Sequence, residues 1–180
     1  MSLLVSDDVL RARSTVATEE LAPLADGLTA ELAPAIAGEL YVPREKALLS
    51  REGGRCPRDG ATLAFDPFSP HRHRCPRCGE TYAGVFHDRF WIFWYQLWLA
   101  ERAVHGALLA TLRCDEAAGA FATRVLERYV DEYLLYPNRD NVLGPTRPFF
   151  STYLESIWLL NLSIAIDLLE RWRPASGALG

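Results

Sequence analysis

The sequence lacks an apolar run long enough to cross a lipid bilayer, which takes roughly 20 residues in a helix. The run at 90–100 is about half that length, and the run at 157–169 is interrupted by Asn161, Ser163 and Asp167. The amino terminus shows no secretory signal, because two aspartates follow its first few apolar residues. We therefore expect a soluble chain, cytoplasmic as it stands, or periplasmic or secreted if a leader precedes it.

The chain also lacks an excess of positive charge. Its 19 Lys and Arg residues against 23 Asp and Glu residues give a net charge of -4. This balance provides no general attraction to nucleic acid or to anionic lipid. Residues 51–89 are locally basic, with seven arginines and three histidines against five acidic residues. For the whole chain we expect neither a nucleic-acid partner nor a membrane partner.

Cysteine is scarce, and three of the four cysteines lie in one short stretch. That stretch contains two similar five-residue units, Cys-Pro-Arg-Asp-Gly at 56–60 and Cys-Pro-Arg-Cys-Gly at 75–79. A turn of this kind directs thiolates at one point, and its glycine permits a positive φ. The pair predicts a zinc ribbon that holds one structural zinc through Cys56, Cys75 and Cys78. The alternative is a pair of proline-glycine turns with incidental cysteines.

The fourth zinc ligand has two candidates. Asp59 stands where the first unit is expected to have its second cysteine, and zinc accepts carboxylate oxygen. His73, two residues before Cys75, offers imidazole nitrogen instead. Cys114 lies outside this stretch, and we expect it to be a small buried hydrophobe. Outside the zinc set, we expect the histidines to lie on the surface, namely His71, His73 and His87.

Most of the remaining sequence has helical periodicity. We predict helices at 18–40, 44–50, 89–112, 116–133 and 149–172, and brief strands at 62–65, 71–74 and 81–85. Residues 2–13 are predicted to form a short amphipathic helix or an ordered lead-in. Pro34 is expected to break or kink the second helix. Asp88 and Asp115 are the predicted caps of two helices, and Thr152 with Glu155 forms a capping box if the last helix starts late. The apolar face predicted after Asp115 consists of Ala118, Phe121, Ala122, Val125, Tyr129 and Tyr133.

These elements predict a mainly α fold of antiparallel helical hairpins with a small inserted zinc-ribbon-like β element. We expect an N-terminal helical segment at 1–54, the insert at 55–86 and a hairpin segment at 87–180. Trp91, Trp94 and Trp98 recur at helical spacing, which favours core packing. A platform that stacks on sugars is the alternative interpretation of these tryptophans.

Several patterns in the helical half resemble a known family. They are Trp91 with Leu99-Ala100-Glu101-Arg102, the turn at 112–116, the pairs Phe121-Ala122 and Val125-Leu126, Tyr133 with Tyr136-Pro137, and 151–158 with Ala165 and 167–169. Together with the His-x-Cys-Pro-x-Cys-Gly run at 73–79, they resemble the N-terminal helical domain of heparinase II/III-like polysaccharide lyases. The resemblance covers roughly residues 56–172. One departure is Cys114, which stands where the family usually has glycine.

The resemblance implies part of an α/α toroid and an enzyme that cleaves acidic, uronate-containing polysaccharides by β-elimination. In that reaction a donor or cation offsets the uronate carboxylate while a Tyr or His removes the C5 proton. The catalytic Asn, Tyr and His of the family fall beyond this stretch, so no catalytic residue is assigned. The chain is therefore expected to be a fragment that lacks the C-terminal β-domain and is inactive by itself.

The long polar connection at 136–148 is the segment expected to contact the polysaccharide. Arginine is suited to bidentate carboxylate binding, and asparagine donates hydrogen bonds to carboxyl groups. The candidate substrate-binding residues are Asn138, Arg139, Asn141, Arg147 and Tyr153. The alternative is a loop that is held by Asx turns and carries surface arginines.

A competing function is a zinc-ribbon-containing helical interaction protein or nucleic-acid-binding protein without catalysis. Its support is the set of arginines in the ribbon, Arg55, Arg58, Arg72, Arg74 and Arg77. The acidic total charge and the absence of a basic helix face in the sequence count against it.

Overall fold

A computed structural model describes residues 6–16, 21–48 and 52–172. These residues form five α-helices, α1 (Asp7–Val16), α2 (Ala22–Ala37), α3 (Val85–Arg113), α4 (Glu116–Glu132) and α5 (Thr152–Leu169). Two single-turn 3-10 helices lie at Glu52–Gly54 and Tyr133–Leu135. The one sheet among the described residues pairs β1 (His73–Arg74) with β2 (Thr81–Tyr82) in antiparallel fashion. The prediction of a mainly α fold is confirmed.

The chain divides into two compact units, each built from segments distant in sequence. The first contains the described residues of Met1–Tyr41, Leu99–Val130 and Leu159–Gly180, and the second contains those of Val42–Trp98 and Asp131–Trp158. The first unit is helical, whereas the second holds the sheet and both cysteine-containing turns. The predicted division at residues 54 and 86 stays a prediction.

In the first unit, α3 and α4 form a tightly packed helical hairpin. A Cβ added at Gly106 would lie 2.7 Å from the carbonyl oxygen of Ala118, so only glycine permits this approach. The cap predicted for α4 is confirmed, since Asp115 Oδ1 accepts the backbone N–H of Ala118 at 3.0 Å. The predicted apolar face of α4 is buried at Ala118, Phe121, Ala122, Val125 and Tyr129. Tyr133 lies beyond α4 and is half-buried.

Helices α2 and α5 each contact α3 through a polar group. Arg102 of α3 is buried, and its Nη1 lies 2.9 Å from Glu31 Oε2 of α2. Thr111 Oγ1 of α3 donates to the carbonyl oxygen of Leu168 on α5 at 3.1 Å. These contacts connect three helices of the first unit.

The break predicted at Pro34 does not occur, because α2 continues through this residue to Ala37, and the alternative of a kink stays a prediction. Pro34 lies in the last turn of the helix, and its missing N–H removes one intrahelical hydrogen bond without ending the helix. Its carbonyl oxygen accepts the backbone N–H of Gly38 at 3.1 Å and closes the helix.

Two predictions of local structure around the sheet are wrong. Residues 44–48 are irregular rather than helical, because the N–H of Ala47 donates to the carbonyl oxygen of Pro148 at 3.0 Å. Residues 49 and 50 of that predicted helix lie outside the described residues. The strand predicted at 62–65 is reduced to one isolated bridge between Arg55 and Thr62. The other two predicted strands shorten to β1 and β2.

The starts of α3 and α5 also differ from prediction. Helix α3 begins at Val85, directly after Gly84 with φ +110°, so Asp88 lies inside the first turn and is not the cap. Helix α5 begins at Thr152, and the carboxylate of Glu155 accepts hydrogen bonds from Tyr133 Oη and the backbone N–H of Arg147. The capping box is therefore wrong, because Glu155 is engaged elsewhere.

Among the described residues, α5 is the one helix whose length and composition would suit a membrane crossing, and 28% of that window is buried. Core helices of soluble proteins share these two properties. Trp158, Leu162 and Leu168 of α5 are buried, whereas Leu159, Leu160 and Ile166 are exposed.

Cys114 follows the last residue of α3. It is exposed, so the expectation that it is a small buried hydrophobe is wrong. Its φ is +56°, in the left-handed region that favours glycine. A side chain in this conformation is strained by about 1–2 kcal/mol.

Replacing Cys114 with glycine is expected to raise the free energy of unfolding by about 0.5–1 kcal/mol, because relief of the strain exceeds the added chain entropy of glycine. Urea denaturation of both proteins measures the difference. Cys114→Ser is the matched control: it removes the thiol but keeps a Cβ at positive φ, and it should match the parent. A glycine variant no more stable than the serine variant contradicts the prediction.

Candidate metal centre

Two turns with the same hydrogen-bond pattern position the candidate metal ligands. In the first, the carbonyl oxygen of Cys56 accepts the N–H of Gly60 at 2.9 Å, and in the second that of Cys75 accepts the N–H of Gly79 at 3.0 Å. The N–H of each leading cysteine donates to the carbonyl five residues later, at 2.8 Å in both turns. Gly60 and Gly79 have φ values of +69° and +79°, which explains the glycine in each unit.

Short extended segments flank both turns and hold them side by side. The bridge between Arg55 and Thr62 brackets the first turn, and the pair of β1 with β2 brackets the second. The N–H of Ala64, after the first turn, donates to the carbonyl oxygen of Arg74, before the second turn, at 2.8 Å. This bond connects the two flanking segments. The two turns therefore present their side chains to a common point.

Four side chains meet at that point, Cys56, Asp59, Cys75 and Cys78. One ligand atom from each lies within 4.8 Å of the others. The sulfurs of Cys56 and Cys78 are 3.6 Å apart, and Cys75 Sγ is 3.5 Å from Asp59 Oδ2. A tetrahedral ion with metal–sulfur and metal–oxygen bonds of about 2.3 and 2.0 Å spaces its ligands by about 3.5–3.8 Å. These two separations fit such an ion, and the other pairs of ligand atoms lie within 4.8 Å of one another.

The alternative fourth ligand, His73, is engaged elsewhere. Its Nε2 lies 2.8 Å from Asp88 Oδ1, and His71 Nδ1 lies 2.8 Å from Asp88 Oδ2. The structure thus brings Asp59, and not His73, into the cysteine cluster. His73 is also buried, so its expected surface position is wrong. His87 is half-buried, with Nδ1 2.6 Å from the carbonyl oxygen of Gly53.

The environment of Cys56 favours its thiolate. Burial by itself raises the pKa of the thiol, but hydrogen bonds from the Tyr82 hydroxyl and from the N–H groups of Asp59 and Arg58 outweigh it. The net pKa of Cys56 is therefore lowered. The sulfur lies 3.1 Å from Tyr82 Oη, and this bond is the main reason why the pKa of Tyr82 is raised. Tyr82 acts as a donor that supports the ligand sulfur.

The pKa values of Asp59 and Cys78 are shifted in opposite directions. The backbone N–H of Ala61 donates to Asp59 Oδ1 at 2.9 Å and lowers the pKa of that carboxyl group. The backbone N–H of Glu80 favours the thiolate of Cys78, but burial and the neighbouring thiols outweigh it and raise the pKa of Cys78. Without a cation, closely spaced thiolates repel one another, and a divalent ion removes that repulsion.

The apolar core beneath this site is small. Cys56, Leu63 and Cys75 are buried, and the groups packed against them are Ala61, Cys78 and Tyr82. A metal ion at the cluster would add a cross-link to this small core. The cluster offers four protein ligands, enough to hold a metal ion with no open position.

The predicted substrate-binding loop at 136–148 is held by a side chain that the sequence analysis missed. Lys46 is buried, and its Nζ donates to the carbonyl oxygens of Arg139 at 2.6 Å and Thr146 at 2.9 Å. It also bonds to Asn141 Oδ1 and to Thr146 Oγ1. Asn141 Nδ2 in turn donates to Asn138 Oδ1 at 2.8 Å. The two asparagines therefore stabilise the loop itself.

The remaining candidates lie in different surroundings. Arg147 Nη1 donates to two backbone carbonyls at 2.9 Å each, and its guanidinium lies 5.9 Å from the ring centroid of Tyr133. Arg139 has a 71% exposed side chain, 3.9 Å from Asp140. Tyr153 is exposed on α5 and lines a separate aromatic cavity. The five candidates are thus not gathered into one polar site.

The three tryptophans of α3 also differ from one another. Trp91 is buried, and its Nε1 donates to the carbonyl oxygen of Asp66 at 2.7 Å. Trp98 is half-buried, with its ring 5.8 Å from that of Phe68. Trp94 is 44% exposed and lines the same cavity as Tyr153. Core packing therefore describes Trp91 but not Trp94.

Comparison of the chain with protein-family models, with curated proteins and with solved structures finds no match. The resemblance to heparinase II/III-like lyases accordingly stays a prediction that rests on the residue patterns.

Proposed function

We propose that the cluster of Cys56, Asp59, Cys75 and Cys78 holds one zinc ion as the structural centre of a zinc-ribbon-like element. The support is the fit of the ligand spacings to a tetrahedron and the equivalence of the two turns. Bound zinc supplies the cross-link that the small core of this element lacks. The chain's own groups orient the ligands, chiefly the Tyr82 hydroxyl and the backbone N–H groups.

We also propose that the chain is the N-terminal helical part of a heparinase II/III-like polysaccharide lyase. The observation that supports this most is the φ of +56° at Cys114. The resemblance places glycine at this position, and glycine is the residue that this conformation favours. The close hairpin of α3 and α4 suits a segment of an α/α toroid, with an acidic polysaccharide as the substrate of the complete enzyme.

The isolated chain is expected to show no lyase activity, because the family's catalytic groups have no assigned counterpart in it. The measurement is ultraviolet absorbance of unsaturated uronate after incubation with heparin, heparan sulfate, alginate or hyaluronan. A known lyase serves as the positive control for each substrate. A reproducible absorbance increase that persists in chelator would contradict this expectation.

Nucleic-acid binding is the second candidate, and the exposure of the ribbon arginines favours it. Arg58, Arg72, Arg74 and Arg77 are all exposed, although Arg58 lies 3.7 Å from Glu80 and Arg77 donates to the carbonyl oxygen of Asp59. Retention on alginate resin and on DNA resin at matched ionic strength separates the two proposals. Stronger retention on alginate supports the lyase fragment, and stronger retention on DNA supports the alternative.

A further inference from the structure

The second unit contains an aromatic cavity of about 480 Å³ outside the metal cluster. Its aromatic walls come from α3, from the segment before α5 and from α5, namely Phe90, Phe93, Trp94, Phe150 and Tyr153. Cavities of about 300–1,000 Å³ suit small organic ligands.

Packing of the surrounding residues holds this cavity open. A Cβ added at Gly54 would lie 2.1 Å from the ring of Phe90, so glycine is required where the backbone meets that ring. The ring of Phe93 stacks on Phe150 at 6.2 Å and meets Phe149 edge-on at 6.3 Å. Because Phe149 is fully buried, these rings have little freedom to collapse into the space.

The lining indicates what kind of ligand the cavity accepts. Arg55 is the one charged residue among the described residues that line it. Its side chain is exposed, and its Nη1 donates to the carbonyl oxygen of Gly60 at 3.2 Å. The few hydroxyl groups belong to Thr62, Ser151 and Tyr153. A heavily hydroxylated sugar would leave polar groups unpaired against these rings, whereas an apolar body with one anionic group would not.

We propose that this cavity binds a small aromatic carboxylate. Its ring system packs among Phe90, Phe93 and Trp94, where ring contacts add to apolar burial. Its carboxylate pairs with the Arg55 guanidinium, whose planar fork matches two carboxylate oxygens. This assignment does not depend on the lyase proposal, but it rests on the proposed zinc site to the extent that Arg55 and Thr62 of the lining flank the first cysteine turn.

Titration calorimetry of the zinc-loaded chain with 2-naphthoate tests the ligand class. We expect one molecule to bind per chain, and at least tenfold weaker binding of 2-naphthalenemethanol, decanoate and glucuronate. The alcohol lacks the negative charge, and decanoate lacks the aromatic ring. Glucuronate keeps the carboxylate but has a hydroxylated sugar ring in place of the aromatic one. No binding of naphthoate, or equal or tighter binding of any comparison ligand, overturns the proposal.

Variants locate the site. Arg55→Gln should weaken naphthoate binding at least tenfold and leave binding of the neutral alcohol unchanged. Leu154→Trp, which fills the cavity from α5, should abolish binding of both. Arg72→Gln removes a matched exposed arginine outside the cavity and should change neither. Unaltered naphthoate affinity in both cavity variants, with circular dichroism showing normal folding, overturns the assignment.

Discussion

We expect that replacing Cys75 with alanine abolishes zinc binding and unfolds the element around residues 55–84, whereas the same replacement at Cys114 does neither. Cys75 is fully buried, forms part of the small core and offers one of the three candidate ligand sulfurs. Structural zinc supplies an apparent ~10–16 kcal/mol of folding free energy in zinc-finger peptides, far more than the few buried residues here provide. Cys114 lies outside the cluster.

Thiol titration gives a sharp readout of this prediction. The chain has four cysteines, of which three belong to the cluster, so the zinc-loaded protein should expose one fast-reacting thiol, that of Cys114. Removal of the zinc by a chelator should make the three cluster thiols reactive as well, so that all four cysteines react. Metal analysis should find one equivalent of zinc in the parent and in Cys114→Ala. Less than about half an equivalent in the parent, with every thiol freely reactive, contradicts the zinc site.

Variants at the fourth position separate the two candidate ligands. Asp59→Ala should weaken zinc binding, because three sulfurs remain, while Asp59→Cys should restore or increase it. His73→Ala should keep its zinc, since His73 bonds to Asp88. Loss of zinc in the His73 variant alone would show that the histidine is the ligand.

The cysteine turns could be predicted from sequence because their geometry is local. The Cys-Pro-Arg-x-Gly spacing determines the hydrogen bonds within each turn, and the glycines supply the positive φ. The choice between Asp59 and His73 could not be predicted, because it depends on Asp88. That residue is close to His73 only through the path of the chain into α3.

The starts of the helices also show that local signals are predictable from sequence, whereas effects of the surrounding structure are not. The cap of α4 was predictable, because Asp115 bonds to an N–H three residues ahead. The cap of α3 was not, since Gly84 lets the helix begin before Asp88. Residues 44–48 are not helical, because Ala47 and Lys46 donate hydrogen bonds to groups that lie about a hundred residues later in the chain. These tertiary contacts override the local helix propensity.

The loop residues show that a polar pattern does not by itself distinguish ligand-binding groups from groups that stabilise a loop, so their role in substrate binding stays a prediction. Asn138, Asn141 and Arg147 have the chemistry to bind a uronate, but the loop backbone and side chains need partners of their own. In the structure each of the three makes hydrogen bonds within or beside the loop. The cavity lined by Trp94 and Tyr153 was missed because its walls come from separate segments.

Replacing Lys46, the only lysine of the chain, with methionine is expected to lower the free energy of unfolding by about 2–4 kcal/mol. The methionine keeps most of the apolar volume but leaves the acceptors of Arg139, Asn141 and Thr146 without the buried ammonium. Urea denaturation measures the loss, and amide hydrogen exchange should show the loop opening first. Arg139→Ala is the matched control, since its exposed side chain should change stability by less than about 0.5 kcal/mol. Equal stability of the two variants would mean that the loop holds its shape without Lys46.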